Sequence, residues 1–191
     1  MAQHGITTET VKRMILDAGA VYVNYGETDE RLLGATQGGN TFTVEREVKQ
    51  IEMDGARGPV KGARRIISEK AILTVNLLEH STENWKMILT AADVTDVLDT
   101  DGVTKIADEI RTRQILDSDY IKNIALVAEV SGTSQPVVII LYNALADDEI
   151  EMELAHTEEG VPEVAFAAHW DPADMETSPY AIRFPVIGSG D

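Results

Sequence analysis

Thirty-three carboxylates, four histidines and no cysteine are the groups the chain has at hand for chemistry. A nucleophilic triad needs a Ser or Cys beside a base, usually presented on a sharp turn such as G-x-S-x-G; the sequence has neither that turn nor a thiol. His4, His80, His156 and His169 stand far apart with no H-E-x-x-H pair, so they read as surface residues rather than metal ligands. In "DTDGVTK", Asp99, Asp101 and Gly102 have the opening spacing of a calcium loop. That frame puts Val97 at the first ligand position, Lys105 at the ninth and the short Asp108 at the twelfth, which favours a polar turn. Asp171, Asp174 and Glu176 read as a solvated acidic loop ahead of a terminal strand. With so many acids, any one pair is uninformative about acid and base catalysis. The reading is that the chain is not an enzyme, and no cofactor or metal is expected.

One stretch stands apart. "MDGARGPVKGARR", Met53 to Arg65, places Arg57, Lys61, Arg64 and Arg65 among Gly55, Gly58 and Gly62. Its superficial likeness to a phosphate loop fails, because Gly62 follows Lys61 where Ser or Thr is needed and Pro59 removes a backbone donor. The glycines permit tight turns, Pro59 stiffens the tip, and the four cations are poised to meet carboxylates.

The chain of 191 residues suits one domain, expected to span 1–191 with an arm at 54–65 and a flexible end at 186–191. Apolar residues at 43% with only 5% aromatic describe an aliphatic core, and no apolar run reaches the roughly 20 residues of a spanning helix. The start, Met1 to Gly5, lacks the pattern of a signal peptide, so intracellular production is expected and no membrane partner. Residues 1–70 hold ten Lys/Arg against ten Asp/Glu, and 71–191 hold six against twenty-three, so the whole net charge of −17 lies downstream. Such an excess opposes binding to a phosphate backbone, which relies on Lys and Arg displacing counterions.

Periodicity then gives the elements. Thr7 caps a helix in which Val11, Met14, Ile15 and Ala18 make one stripe, with Gly19 as its stop. A short strand at 20–25 precedes a loop over 26–40. Residues 41–48 alternate as a half-buried strand, the register shifts at Ile51 and Met53 as at a bulge, and 71–77 resume the alternation as its partner. Strands that run outward past the core lose their neighbours, and a lone two-stranded ribbon is marginal in water. Something else must support it: the acidic half of a neighbouring copy is one counterpart, and a mobile hairpin paired with its own acids is the other reading.

Ser81 caps a second helix carrying Trp85, Ile88, Leu89 and Ala92, which ends in a polar turn over 95–102. Residues 103–121 fit a helix and a strand equally. Strands are expected at 124–130, 136–142, 149–154, 163–170 and 180–184, with Glu149, Glu151 and Glu153 on one face of the third and Ile150, Met152 and Leu154 on the other. Short connections imply antiparallel order. The class is mainly β, an antiparallel sandwich or barrel with one or two flanking helices and a long protruding hairpin.

The blocks "GGNTFTVEREVKQIEMDGARGPVKGARRI", "AILTVNLLEHSTENWKMIL", "DYIKNIALVAEVSG", "PVVIILYNAL", "DEIEMELA" and "AAHWDP…PYAIRFP" together resemble the major tail tube proteins of long-tailed bacteriophages and related prophage elements, over about Gly5 to Pro185. The resemblance implies a virion structural protein of the tail, assembled in the bacterial cytoplasm. It implies hexameric rings of this chain, stacked into a tube around a channel through which DNA passes without specific binding. Tape measure, terminator and baseplate proteins are the implied partners, and the arm would reach a neighbouring subunit. Glu149, Glu151 and Glu153 would face the lumen, where a like-charged wall leaves DNA unanchored; Glu45, Glu47, Glu129 and Glu163 are further choices. A tail terminator or baseplate ring protein of the same fold, or a soluble β-rich binding module, are the alternatives.

Overall fold

A run of alternating apolar residues needs two things to settle as a strand, a partner for its backbone and a core for its side chains, and residues 71–77 find both. The computed structural model describes residues 5–157 and 159–187. His4, Glu158 and the last four residues of the expected flexible end lie outside the described residues.

The elements in chain order are α1 (Thr8–Lys12), β1 (Ile15–Val23), β2 (Arg31–Leu32), β3 (Thr36–Gln50), β4 (Arg64–Leu77), α2 (Thr82–Ile88), β5 (Ala92–Leu98), β6 (Lys105–Thr112), β7 (Ile121–Val130), β8 (Val137–Ala146), β9 (Glu163–Ala167) and β10 (Tyr180–Arg183), with one 3-10 turn at Asp117–Asp119. Eight strands form an antiparallel sheet in the order β2-β1-β7-β8-β9-β4-β3, with β10 also on β8. β8 is the corner: Val138 to Leu141 pair with β10, Val137 to Ala144 with β7, and Leu145 and Ala146 pass to β9. The folded sheet brings its far strands together again, where Asn40 Nδ2 donates to the Ala18 carbonyl at 3.0 Å. The mainly β, antiparallel expectation holds.

Val21, Val23, Leu73, Val75, Leu77, Ile124, Leu126, Leu141, Val164 and Phe166 fill the interior between the two halves. Along β4 the inward residues Ala71, Leu73, Val75 and Leu77 are buried while their neighbours are half-exposed, as the alternation demands. β7 and β8 read as nearly unbroken apolar runs because both their faces are covered; Ala125, Val138 and Ile140 make a second cluster opposite the main one.

The first helix is shorter than its stripe. It ends at Lys12, and Ile15 to Val23 pair with β7 instead. The stripe residues Val11, Met14 and Ile15 stay exposed, so the helix had nothing to pack against, whereas the strand buries Val21 and Val23. Gly19 is no helix stop. Its φ of +74° sits in the irregularity between Leu16 and Ala20, and a Cβ there would lie 2.9 Å from Leu126 Cδ1.

The second helix follows its signal. Ser81 Oγ accepts from the Asn84 N–H at 3.1 Å, and buried Asn84 donates to the Leu33 carbonyl at 2.9 Å while accepting from Arg31 Nη1 at 3.0 Å. Two further expectations are corrected. The loop at 26–40 contains β2 and the start of β3, and Ala92 and residues 95–98 of the expected polar turn belong to β5. Of the two readings open for 103–121 the strand is the one found, as β6, followed by the 3-10 turn. In each case cross-strand pairing overrides weak local pattern, as where Val94 meets Ile110.

Candidate functional site

Pairing of β3 with β4 runs from Thr36 and Leu77 out to Gln50 and Arg64, but β9 supports β4 only from Ile72 to Asn76. Beyond Val44 and Ala71 the two strands continue as a ribbon with no third strand beside them among the described residues, Lys70 Nζ reaching Asp147 at 3.5 Å at the root. Arg46 fixes its root, paired with Glu69 and donating to the Tyr180 hydroxyl at 2.8 Å. The register breaks between Glu47 and Val48, leaving Ile67 of β4 as the extra residue; the bulge expected at Ile51 and Met53, before the glycine-rich stretch, falls instead on the strand that follows it.

The tip is held by its own backbone. Ile51 N–H donates to the Ala63 carbonyl at 2.7 Å, Ala56 N–H to Met53 at 3.2 Å and Ala63 N–H to Val60 at 3.1 Å. Gly55 and Gly62 both take φ of +87°, which these turns require. Arg64 Nε donates to Gln50 Oε1 at 3.1 Å. Among the described residues, none of Arg57, Lys61, Arg64 and Arg65 makes an ion pair. Lys49 stands opposite Arg65. Val48, Ile66 and Ile67 are at least half exposed, so the ribbon carries apolar surface as well as charge.

A second ribbon was not legible in the sequence. β5 and β6 pair only with each other, forming a two-stranded sheet apart from the main one. Residues 92–112 hold six carboxylates against Lys105 and Arg111. Asp96 and Asp108 face one another across the strands, and Lys105 Nζ spans them at 2.8 and 2.7 Å. Asp101 closes the turn, accepting from the Val103 and Thr104 N–H groups at 2.9 and 2.8 Å; hydrogen bonds from Thr104, its hydroxyl foremost, hold this carboxyl down to about 2. That occupied carboxylate belongs to a turn, as the misfit to a calcium loop implies. Leu98, Val103 and Ile106 stand in solvent at the free end, Val103 with 82% of its surface exposed.

Glu149, Glu151 and Glu153 do come together, though not on a strand. The expected strand at 149–154 is irregular, with a single bridge from Glu151 to Glu163, and Leu154 is 75% exposed. Two carboxylates directly opposite each other oppose regular pairing there. The segment lines a cleft with Asp148, Glu163, Asn76 and Val161.

The remaining candidates cap turns or pack. Asp171 accepts from the Ala173 N–H at 2.8 Å, and Asp174 from the Glu176 and Thr177 N–H groups at 3.2 Å each. His80 Nε2 meets the Gly160 carbonyl at 2.8 Å and stacks on Trp85, while His169 Nδ1 meets the Asn143 carbonyl at 3.0 Å. Among the described residues no three His, Asp or Glu side chains gather as metal ligands would.

No protein-family model and no curated protein matches the chain. Among solved structures it is similar to a chain in the tail of an empty GTA particle with C6 symmetry, at 10% identity and a TM-score of 0.41, covering 88% of this chain and 96% of that one. It is also similar to a chain in the virion of a native gene transfer agent particle, at 9% identity and a TM-score of 0.43, covering 90% and 100%. At these values neither likeness fixes a family or a function.

Proposed function

We propose that the chain is a structural subunit of a phage-type tail tube, building stacked six-membered rings of itself around a channel for DNA, with other tail proteins at its ends. The observation that carries this reading is the placement of charge along β4. The basic arm turns at the Arg64 end of that strand; the acidic cleft, which includes Asn76, lies at its Leu77 end, where α2 and the β5–β6 ribbon follow. Fourteen strand residues separate the two ends by roughly 45 Å.

A protomer with a cationic projection at one end and carboxylates at the other is complementary to a second copy placed head to tail. Such a heterologous contact closes into a ring or propagates as a filament. The sequence blocks that resemble tail tube proteins agree with this geometry.

Glu149, Glu151 and Glu153 then serve as channel-facing acids. A cleft of carboxylates repels a phosphate backbone, so DNA would pass without sticking.

Deletion of residues 55–63, or replacement of Arg57, Lys61, Arg64 and Arg65 by Glu, tests the reading by electron microscopy of concentrated protein. The wild type forms rings and tubes, and the altered proteins remain folded monomers by sedimentation. Tubes of unchanged length from the altered proteins would remove the arm from the account.

A further inference from the structure

Two two-stranded ribbons extend beyond the main sheet of each protomer, the second held to α2 where Thr82 Oγ1 donates to Asp108 at 2.9 Å, and they differ in charge. Residues 49–65 of the arm carry five cations against Glu52 and Asp54, whereas residues 92–112 carry six carboxylates against Lys105 and Arg111. Both present apolar residues beside the charges: Val48, Ile66 and Ile67 on the arm, and Leu98, Val103 and Ile106 on the second ribbon. Each also offers the unpaired outer edges of a two-stranded sheet, surfaces that take up another strand readily.

We propose that the β5–β6 ribbon is the seat for the arm of a second copy of this chain. The proposal rests on the tube reading and adds the acceptor surface. Within one protomer the arm tip and the ribbon are attached to opposite ends of β4, so the fit is between copies. The carboxylate cleft at 148–163 is the competing seat. Its lining is acidic apart from Asn76 and Val161, and the exposed apolar residue beside it is Leu154, so it offers Ile66 and Ile67 less apolar surface than Leu98, Val103 and Ile106 do. The ribbon meets both needs: Asp99 makes no ion pair among the described residues, and Leu98, Val103 and Ile106 supply apolar surface.

The absence of cysteine allows a direct test. Protein carrying Ala56→Cys at the arm tip is mixed with protein carrying Thr100→Cys on the ribbon turn, and separately with Glu151→Cys in the cleft, and treated with a flexible bis-maleimide. Linked dimers are expected several-fold more often with Thr100→Cys than with Glu151→Cys, and Arg57→Glu with Lys61→Glu and Arg64→Glu in the arm partner should abolish them. Linkage should return when the ribbon partner also carries Asp96→Lys and Asp99→Lys, changes that spare Asp101 and Asp108, whose carboxylates hold the turn and Thr82. Wild-type tubes with linkage at the cleft, or at neither site, would overturn the ribbon as seat and leave the tube reading standing. Linkage at the ribbon without rings would do the reverse, and neither linkage nor rings would remove both.

Discussion

Lys49 and Arg65 stand directly opposite one another across the arm, two cations that among the described residues have no ion-pair partner. The β5–β6 ribbon has the inverse arrangement, Asp96 opposite Asp108, but there Lys105 lies between them within 2.8 Å of each. Like charges placed across a ladder weaken it. The acidic pair is compensated within its own chain and the basic pair is not, so the arm is a ribbon that becomes more stable when another molecule supplies anions.

Arg65→Thr should therefore move stability and assembly in opposite directions. Removing one cation relieves the opposition by about 0.2–1 kcal/mol, up to about 4 °C in melting temperature for a chain of this size. The same change removes a contact with the next copy, so the assembled fraction should fall. A lower melting temperature for the monomer would contradict the argument.

Salt should dissolve the assembly before it affects the monomer. Exposed charges on two ribbons attract over a screening length that shrinks from about 10 Å at 0.1 M to about 3 Å at 1 M ionic strength. Sedimentation across that range should show polymer giving way to monomer while the far-ultraviolet spectrum stays constant. A polymer indifferent to salt would place the association energy elsewhere.

Part of this fold is legible in the sequence, and the rest is not for physical reasons. The arm is marked by cations and glycines that interrupt two strands whose alternation is clean, at Phe42 and Val44 and again at Leu73 and Val75. The α2 cap is marked by Ser81 followed by the apolar spacing of Trp85 and Ile88. The β5–β6 ribbon carries no such mark, because a strand exposed on both faces has no burial pattern: Asp93, Thr95 and Asp96 are all in solvent. Glu149 to Leu154 show the opposite case, a real alternation in which, among the described residues, only Glu151 bridges, to Glu163. Val11, Met14 and Ile15 showed a helical stripe with no surface to receive it.

Asn84 should be the most sensitive polar residue near α2. Asn84→Leu leaves the Leu33 carbonyl without its side-chain donor and Arg31 Nη1 without its acceptor, at 2.9 and 3.0 Å in the present structure. The expected loss is about 1–3 kcal/mol. Chemical denaturation checks it, and a neutral change would mean that water replaces both bonds.

Arg113 and Asp119 contribute to the acid limb of stability, as do other carboxyls lowered on folding such as Asp101. Arg113 donates to both Asp119 oxygens at 2.7 Å, and this pairing, with the Leu116 N–H, brings the carboxyl down to about 2 from 3.8. A carboxyl depressed on folding contributes stability that is complete above its unfolded value near 3.8 and vanishes as pH falls through about 2. Arg113→Ala should thus be less stable than the wild type at neutral pH, with the Asp119 share of that difference disappearing towards pH 2. Carboxyl titration by NMR should show Asp119 rising towards its ordinary value in the variant, and an unmoved titration would contradict the assignment.

End-on cryo-electron microscopy of the purified protein, across a range of concentration, tests the central claim most directly. The account predicts six-membered rings with an open centre, each arm laid on the adjacent protomer. Particles that remain single chains at every concentration, with the arm folded against its own β3–β4 sheet, would contradict it.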